Sequence, residues 1–218
     1  MGKYEVTQEQ IQQVSITGSV KSHFIGKDSP VGMGHWAVAQ EFCKRLNAQT
    51  QQIVRLPTEA EWEYACRAGT TTMYYSGDTE KDLDRVAWYG GNRKGTTYAV
   101  GQKEPNAFGL YDMHGNVWEW CQDSYGNYSP AQTVDWLARG GTTRVLRGGC
   151  WADKPEALRA ANRLGVDPGL RTLYAGFRIA VPVVWPDGGP TVLRTLVRGL
   201  IQTPQTAPPP AMEAVPSP

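Results

Sequence analysis

Apolar residues recur at helical spacing through Trp36, Ala39, Phe42, Cys43 and Leu46. That period predicts an amphipathic helix over His35–Asn47. Two capping boxes mark further helix starts, because a Thr followed three residues later by Glu or Gln satisfies backbone N–H groups reciprocally. Thr7 to Gln10 opens a short helix, and Thr58 to Glu61 opens one ending near Gly69. Between Ile16 and Met33 the chain is Gly/Ser-rich and reads as loop. From Thr70 onward short strands and loops are expected, with Val145–Leu146 and Phe177–Ala180 as the apolar, Gly-bounded strands. After Ala180 the composition shifts: nine of the 15 prolines lie between Val181 and Pro218. Thr203–Pro218 has almost no core formers and reads as polyproline II or disorder. Val192–Ile201 reads as a short amphipathic helix on the domain's own surface, with docking to a partner as the alternative.

One segment breaks both periods. Gly109–Trp120 reads GLYDMHGNVWEW, too Gly-rich for a helix and too aromatic for a solvated loop. It predicts a buried, irregular loop. Asp112 and Glu119 flank a turn whose carbonyls have no ladder, and carboxylates with free carbonyls suit a hard cation such as Ca²⁺.

Bulk properties narrow the classes. The chain has 218 residues, enough for one substantial core. A formal net charge of +1 gives no pull toward nucleic acid or acidic membrane, so neither is expected as a partner. With 24 glycines and 8 tryptophans, a loop-rich domain burying aromatics is favoured over a helical bundle. No apolar run is long enough to span a membrane. MGKYEV lacks an apolar leader, and Val6 breaks a myristoylation motif, so a cytoplasmic location is expected.

Three further segments accompany the loop in order: RLPTEAEWEYACRAG at Arg55–Gly69, RVLRGGCW at Arg144–Trp151 and GFRIA at Gly176–Ala180. Together the four motifs closely resemble the formylglycine-generating enzyme, or sulfatase-modifying-factor, family. The resemblance runs from about Met1 to Ala180. It implies an α+β, C-type-lectin-like domain over residues 1–180, with two helices packed on short antiparallel sheets, followed by a Pro-rich tail over 181–218. Family members carry a strand or two before the segment matching GKYEVT, so an exposed sheet edge is expected here. The resemblance also implies a Ca²⁺ site formed by the side chains of Asp112 and Glu119 and the carbonyls of Gly115 and Val117. Asn116 would brace the turn, and Trp118 and Trp120 would fill the core. A second, looser match places Asp84 and Asn92 at another Ca²⁺ site, with a plain surface loop as the alternative.

Catalytic members of the family hold Cu(I) on two cysteines spaced five apart, after the motif matching Arg147-Gly-Gly149. Here Asp153 and Leu158 fall in that region, and Cys150 is the segment's single cysteine, so no copper is expected. Cys43 and Cys66 sit where some relatives form disulfides, but their partner positions, near Ile179 and Leu158, are not cysteines. Both read as buried small hydrophobes, consistent with a reducing compartment. A Cys121–Cys150 bridge is left open. Another branch of the superfamily binds non-haem iron on histidines. Only His23, His35 and His114 are present, none in an HxxxH pair, and His114 reads as a hydrogen-bonded structural residue.

Relatives often carry Asn runs in a pattern like NR-NNN-PDNRNNN-GFR, where this chain has NRLGVDPGLRTLYAGFR. Asn162, Arg163, Pro168, Arg171, Gly176, Phe177 and Arg178 match the scaffold of that pattern. The residues between can all be reached from an AAC Asn codon by replacing adenines. Diversity-generating retroelements of bacteria make such replacements, and some of their variable proteins have this fold. Drift in a permissive loop is the alternative. The reading is therefore a non-catalytic ligand-binding or display domain, with an oxidoreductase of altered site as runner-up. Its binding face comprises Cys150, Trp151, Ala152, Asp153, Leu158, Leu164, Val166, Asp167, Leu170, Thr172, Leu173 and Tyr174. That face is apolar and aromatic enough for a protein or other macromolecular partner.

Overall fold

The computed structural model describes residues 1–14, 16, 24–32, 34–92, 95–128 and 141–181. His23, the 192–201 helix and the Pro-rich tail lie outside the described residues.

Both predicted capping boxes form. Thr7 caps helix α1 (Gln8–Gln13), accepting from Gln10 N–H while the Gln10 side chain accepts from Thr7 N–H. Thr58 and Glu61 do the same for α3 (Glu59–Arg67). Each such cap stabilises its helix by about 1 kcal/mol. Helix α2 (Trp36–Thr50) runs three residues past the predicted end and buries Val38, Ala39, Phe42, Cys43 and Leu46. A fourth helix, α4 (Glu80–Val86), was not predicted. Its capping box pairs Thr79 with Asp82, a shorter acid than the Glu or Gln sought.

The sheet has four strands in the order β3-β2-β1-β4. These are β1 (Trp118–Ser124), β2 (Arg144–Arg147), β3 (Leu164–Val166) and β4 (Ala175–Gly176). It is mixed rather than antiparallel, because β4 pairs parallel to β1 while β2 pairs antiparallel to both β1 and β3. Two expectations are corrected. Trp118-Glu119-Trp120 begins a strand instead of ending a loop, since β2 supplies a ladder for it: Glu119 faces Arg147 and Trp120 faces Leu146. Phe177–Ala180 is not a strand, and within it Ala180 alone forms a bridge, to Arg55. Residues 177–179 instead receive the N-terminal segment, through Val6 N–H to Phe177 O and Gly2 N–H to Ile179 O.

The main core lies between α2 and the sheet, around Phe42, Leu46, Trp120, Leu146 and Phe177. A second cluster around Trp62, Cys66, Met113 and Cys121 packs α3 against the other sheet face. All four cysteines are free, buried thiols, so the bridge left open between Cys121 and Cys150 does not form. No helix among the described residues is long and apolar enough to cross a membrane.

Candidate functional site

The loop before β1 turns sharply because Asp112 (φ 55°), Gly115 (φ 80°) and Asn116 (φ 56°) are left-handed, a region Asp and Asn tolerate better than most residues. Gly115 has no alternative, since a Cβ there would lie 2.2 Å from the Trp88 carbonyl oxygen. Asn116 braces the turn: its Oδ1 accepts from Tyr98 N–H, and its Nδ2 donates to Tyr98 O and to Glu5 Oε2. Glu5, which was not anticipated, also accepts from Val117 N–H at 3.1 Å. Its only sequence signal is an acid among the apolar residues of KYEV.

Three carboxylates are therefore buried together. Glu119 accepts from Arg178 Nη2 and Nε at 2.6 Å each and from Trp62 Nε1 at 2.7 Å. Asp112 Oδ2 accepts from Gly101 N–H at 2.7 Å, while its Oδ1 is buried without a partner. Burial raises the Asp112 pKa to about 6 and pushes Glu5 well above the carboxylate range, with neighbouring acids adding to the Glu5 shift. Among the described residues Arg178 alone pairs with this charge directly. Among the described residues no three His, Cys, Asp or Glu side chains form a metal cage. A cation here would therefore need main-chain carbonyls too, as Ca²⁺ commonly does. Among the described residues, the Gly115 and Val117 carbonyls accept none of the backbone hydrogen bonds made outside helices and strands. The donor set thus fits at Asp112, Gly115 and Val117. Glu119 fits less well, since Arg178 and Trp62 already engage its oxygens.

Asp84 and Asn92 come together, but on each other: Asn92 Nδ2 donates to Asp84 Oδ1 at 3.1 Å, and Tyr89 OH donates to the same oxygen. His114 is fully buried. It bonds the Leu158 carbonyl through Nδ1 and accepts from Tyr75 N–H at Nε2. Burial lowers its pKa to about 4, so the ring is a neutral strut.

The segment from Leu164 to Tyr174 forms the outer surface. Leu164, Asp167, Leu170 and Tyr174 are exposed; Val166, Thr172 and Leu173 are half-buried. Val166 and Leu173 lean on the main core. The predicted face needs correction beneath this layer. Leu158 and Cys150 are 0% and 2% exposed, because Leu158 packs under α4 and Cys150 joins the main core. Trp151 is buried too, with Phe24 edge-on at 5.4 Å and Tyr174 tilted over it at 5.4 Å. Ala152 and Asp153 reach the surface only in part. Gly165 is not free to vary, since a Cβ would lie 2.5 Å from the Tyr125 ring. Arg163 clamps the segment from below, bonding both oxygens of buried Glu59 and the Gly126 carbonyl. Arg171, the other arginine of the matched scaffold in this segment, is exposed and pairs with no described carboxylate.

Comparison with known proteins fits this arrangement. The sulfatase-modifying factor enzyme 1-like domain model matches residues 1–183. The chain belongs to this family. Within it, the formylglycine-generating enzyme of Mycobacterium tuberculosis is 33% identical over 195 residues, covering 77% of this chain and 65% of that enzyme. Serine/threonine-protein kinase pkn1 of Chlamydia pneumoniae is 41% identical over 131 residues. That match covers 58% of this chain and 20% of the kinase, so the chain spans about a fifth of that relative's length. Treponema denticola variable protein 1 superposes with a TM-score of 0.73 at 31% identity, covering 82% of this chain and 84% of that one. The α+β fold is thus that of the sulfatase-modifying factor family.

At the positions where the family resemblance would put copper thiolates, this sulfatase-modifying factor domain has other chemistry. Asp153 Oδ2 accepts from Cys150 N–H at 2.9 Å, closing a tight turn, and Leu158 is core. Burial raises the Cys150 thiol pKa, which disfavours the thiolate a soft metal requires. Cys121 lies in a different core cluster from Cys150.

Proposed function

We propose that this domain is a non-catalytic ligand-binding protein that displays the 164–174 segment to a protein partner, as a retroelement-diversified variable protein does. The observation carrying this reading is the layering of that segment. Leu164, Asp167, Leu170 and Tyr174 point outward, while Arg163, Gly165 and the aromatic pair Trp151–Tyr174 fix the backbone under them. Exposed apolar and aromatic side chains on a rigid base are what protein interfaces use as anchors. The likeness to the variable protein of Treponema denticola supports the same reading. We also propose one structural Ca²⁺ held by Asp112 and the Gly115 and Val117 carbonyls, with Glu119 as a shared ligand. It would supply the positive charge that three buried carboxylates and one arginine leave lacking.

The experiment is to sequence the flanking DNA and, in parallel, to randomise positions 164, 166, 167, 170, 172, 173 and 174. A near-identical repeat differing at adenines beside a reverse transcriptase, together with a library that stays folded, is the expected result. A library that largely unfolds overturns the reading. Family membership favours a second reading, an oxidoreductase acting on cysteine peptides, supported by the 33% identity to a formylglycine-generating enzyme. Detecting aldehyde on such a peptide would establish it.

A further inference from the structure

We infer that the hollow between α2 and the end of the displayed loop is a carboxylate subsite, which seats an acidic side chain of the bound protein. The inference rests on the display reading above. The hollow measures about 210 Å³. Ile16 and Val38 contribute apolar walls, and His35, Glu41, Arg45 and Arg171 its polar ones. Arg45 is matched within the hollow, since its Nε donates to Glu41 Oε1 at 2.7 Å. Arg171 has no acid among the described residues. Among the described residues the hollow therefore carries one positive charge without an acid partner, on a planar fork suited to gripping a carboxylate with two hydrogen bonds.

Size and charge decide the occupant. A drug-sized ligand or cofactor needs roughly 300 Å³ or more, so this hollow accommodates a side chain instead. The chain's net charge is only +1, and a single arginine does not track a nucleic-acid backbone. A carboxylate on a short aliphatic stem matches both the fork and the apolar walls. Position ties the hollow to the display surface. Trp36 N–H donates to the Pro168 carbonyl at 3.1 Å, joining the start of α2 to the loop. Arg171 directly follows exposed Leu170. A partner resting on Leu170 thus brings its neighbouring residues to the hollow.

The test pans a random dodecapeptide phage library on the whole folded protein, then measures binding of the enriched peptides to the wild type, Arg171→Gln, Arg171→Lys and Leu170→Ser. Enriched peptides should carry Glu or Asp close to an aromatic or aliphatic residue. Arg171→Gln should weaken them about tenfold or more, and Arg171→Lys should restore only part, since the fork is lost. Changing the peptide's acid to its amide should cost the wild type as much as it loses in Arg171→Gln, and cost Arg171→Gln nothing more. Peptides that need Leu170 but carry no acid and ignore Arg171→Gln would overturn the subsite and leave the display reading intact. Peptides indifferent to Leu170→Ser, or no enrichment at all, would overturn the display reading. If free N-acetylglutamate amide binds as tightly as the peptides, the hollow is a small-molecule site and the inference fails.

Discussion

Arg178 reaches across the sheet to grip both oxygens of Glu119, at 2.6 Å each, with neither side chain more than 1% exposed. Arg178 Nη1 donates to the Gly2 carbonyl, and Nη2 gives its second hydrogen to the Tyr111 carbonyl, so one guanidinium ties the N-terminus, the sharp loop and β1 together. Removing one partner of a buried pair leaves the other charge uncompensated. Arg178→Met should therefore destabilise the fold by about 3–5 kcal/mol, measured by urea denaturation. A loss below about 1 kcal/mol would show that the pair is solvated.

Calcium should stabilise the wild type. Binding to the folded state alone adds about 2.7 kcal/mol at a hundredfold excess over Kd, which for a domain this size is about 5–10 °C in Tm. Asp112→Asn retains an acceptor for Gly101 N–H but loses the charge, and its melting should ignore both Ca²⁺ and chelator. A wild-type melt unmoved by chelator would remove Ca²⁺ from the account.

A sulfatase-type peptide containing cysteine should remain a thiol after incubation with the protein and Cu(I), as read by mass spectrometry. Conversion that vanishes in Cys150→Ser would reverse the non-catalytic reading.

His114 should stay neutral well below the usual histidine range. Its folded pKa of about 4 lies under the ordinary 6.5. The stability it contributes is thus complete above pH 6.5 and lost as pH falls through 4. In the calcium-free protein Asp112, raised from 3.8 to about 6, works in the opposite sense: its contribution is complete below 3.8 and lost as pH rises through 6. Ring carbon shifts in NMR at pH 5.5 should report a neutral imidazole; a charged ring there would contradict the burial argument.

Substituting the displayed residues should divide by depth. Leu164→Ser and Leu170→Ser should change stability by about 0.5 kcal/mol or less. Leu173→Ser and Val166→Ser should cost more, because both lean on the core. Denaturation midpoints of the four variants would show the split, and equal losses would argue against a distinct outer layer.

Local signals were legible in the sequence where chemistry is local. The two capping boxes and the α2 stripe stand where the sequence puts them, because each rests on spacings of three or four residues, and Asp112, Gly115 and Asn116 announce their turn by residue type, although the partners that hold it are distant. Partnerships across the fold were not legible. Nothing near Glu119 announces Arg178, 59 residues away, and nothing near Arg163 announces Glu59, 104 residues away. The WEW segment carries no strand signal of its own, because its ladder comes from β2, whose pairing is nonlocal. A motif position carries no information about depth, so nothing in the sequence around Leu158 separates a surface residue from the core residue it is.

The strand order has a consequence for how this surface can change. The chain leaves one sheet edge at β3 and re-enters at the other edge as β4, so Asp167–Tyr174 is an arch thrown over the ends of the two inner strands. Its feet are fixed by ladders and by Arg163, Pro168 is tied to α2 and Leu173 leans on the core, while Asp167 and Leu170 face solvent. Such a span is exchangeable at its outward positions: those side chains can be rewritten with the two abutments unmoved.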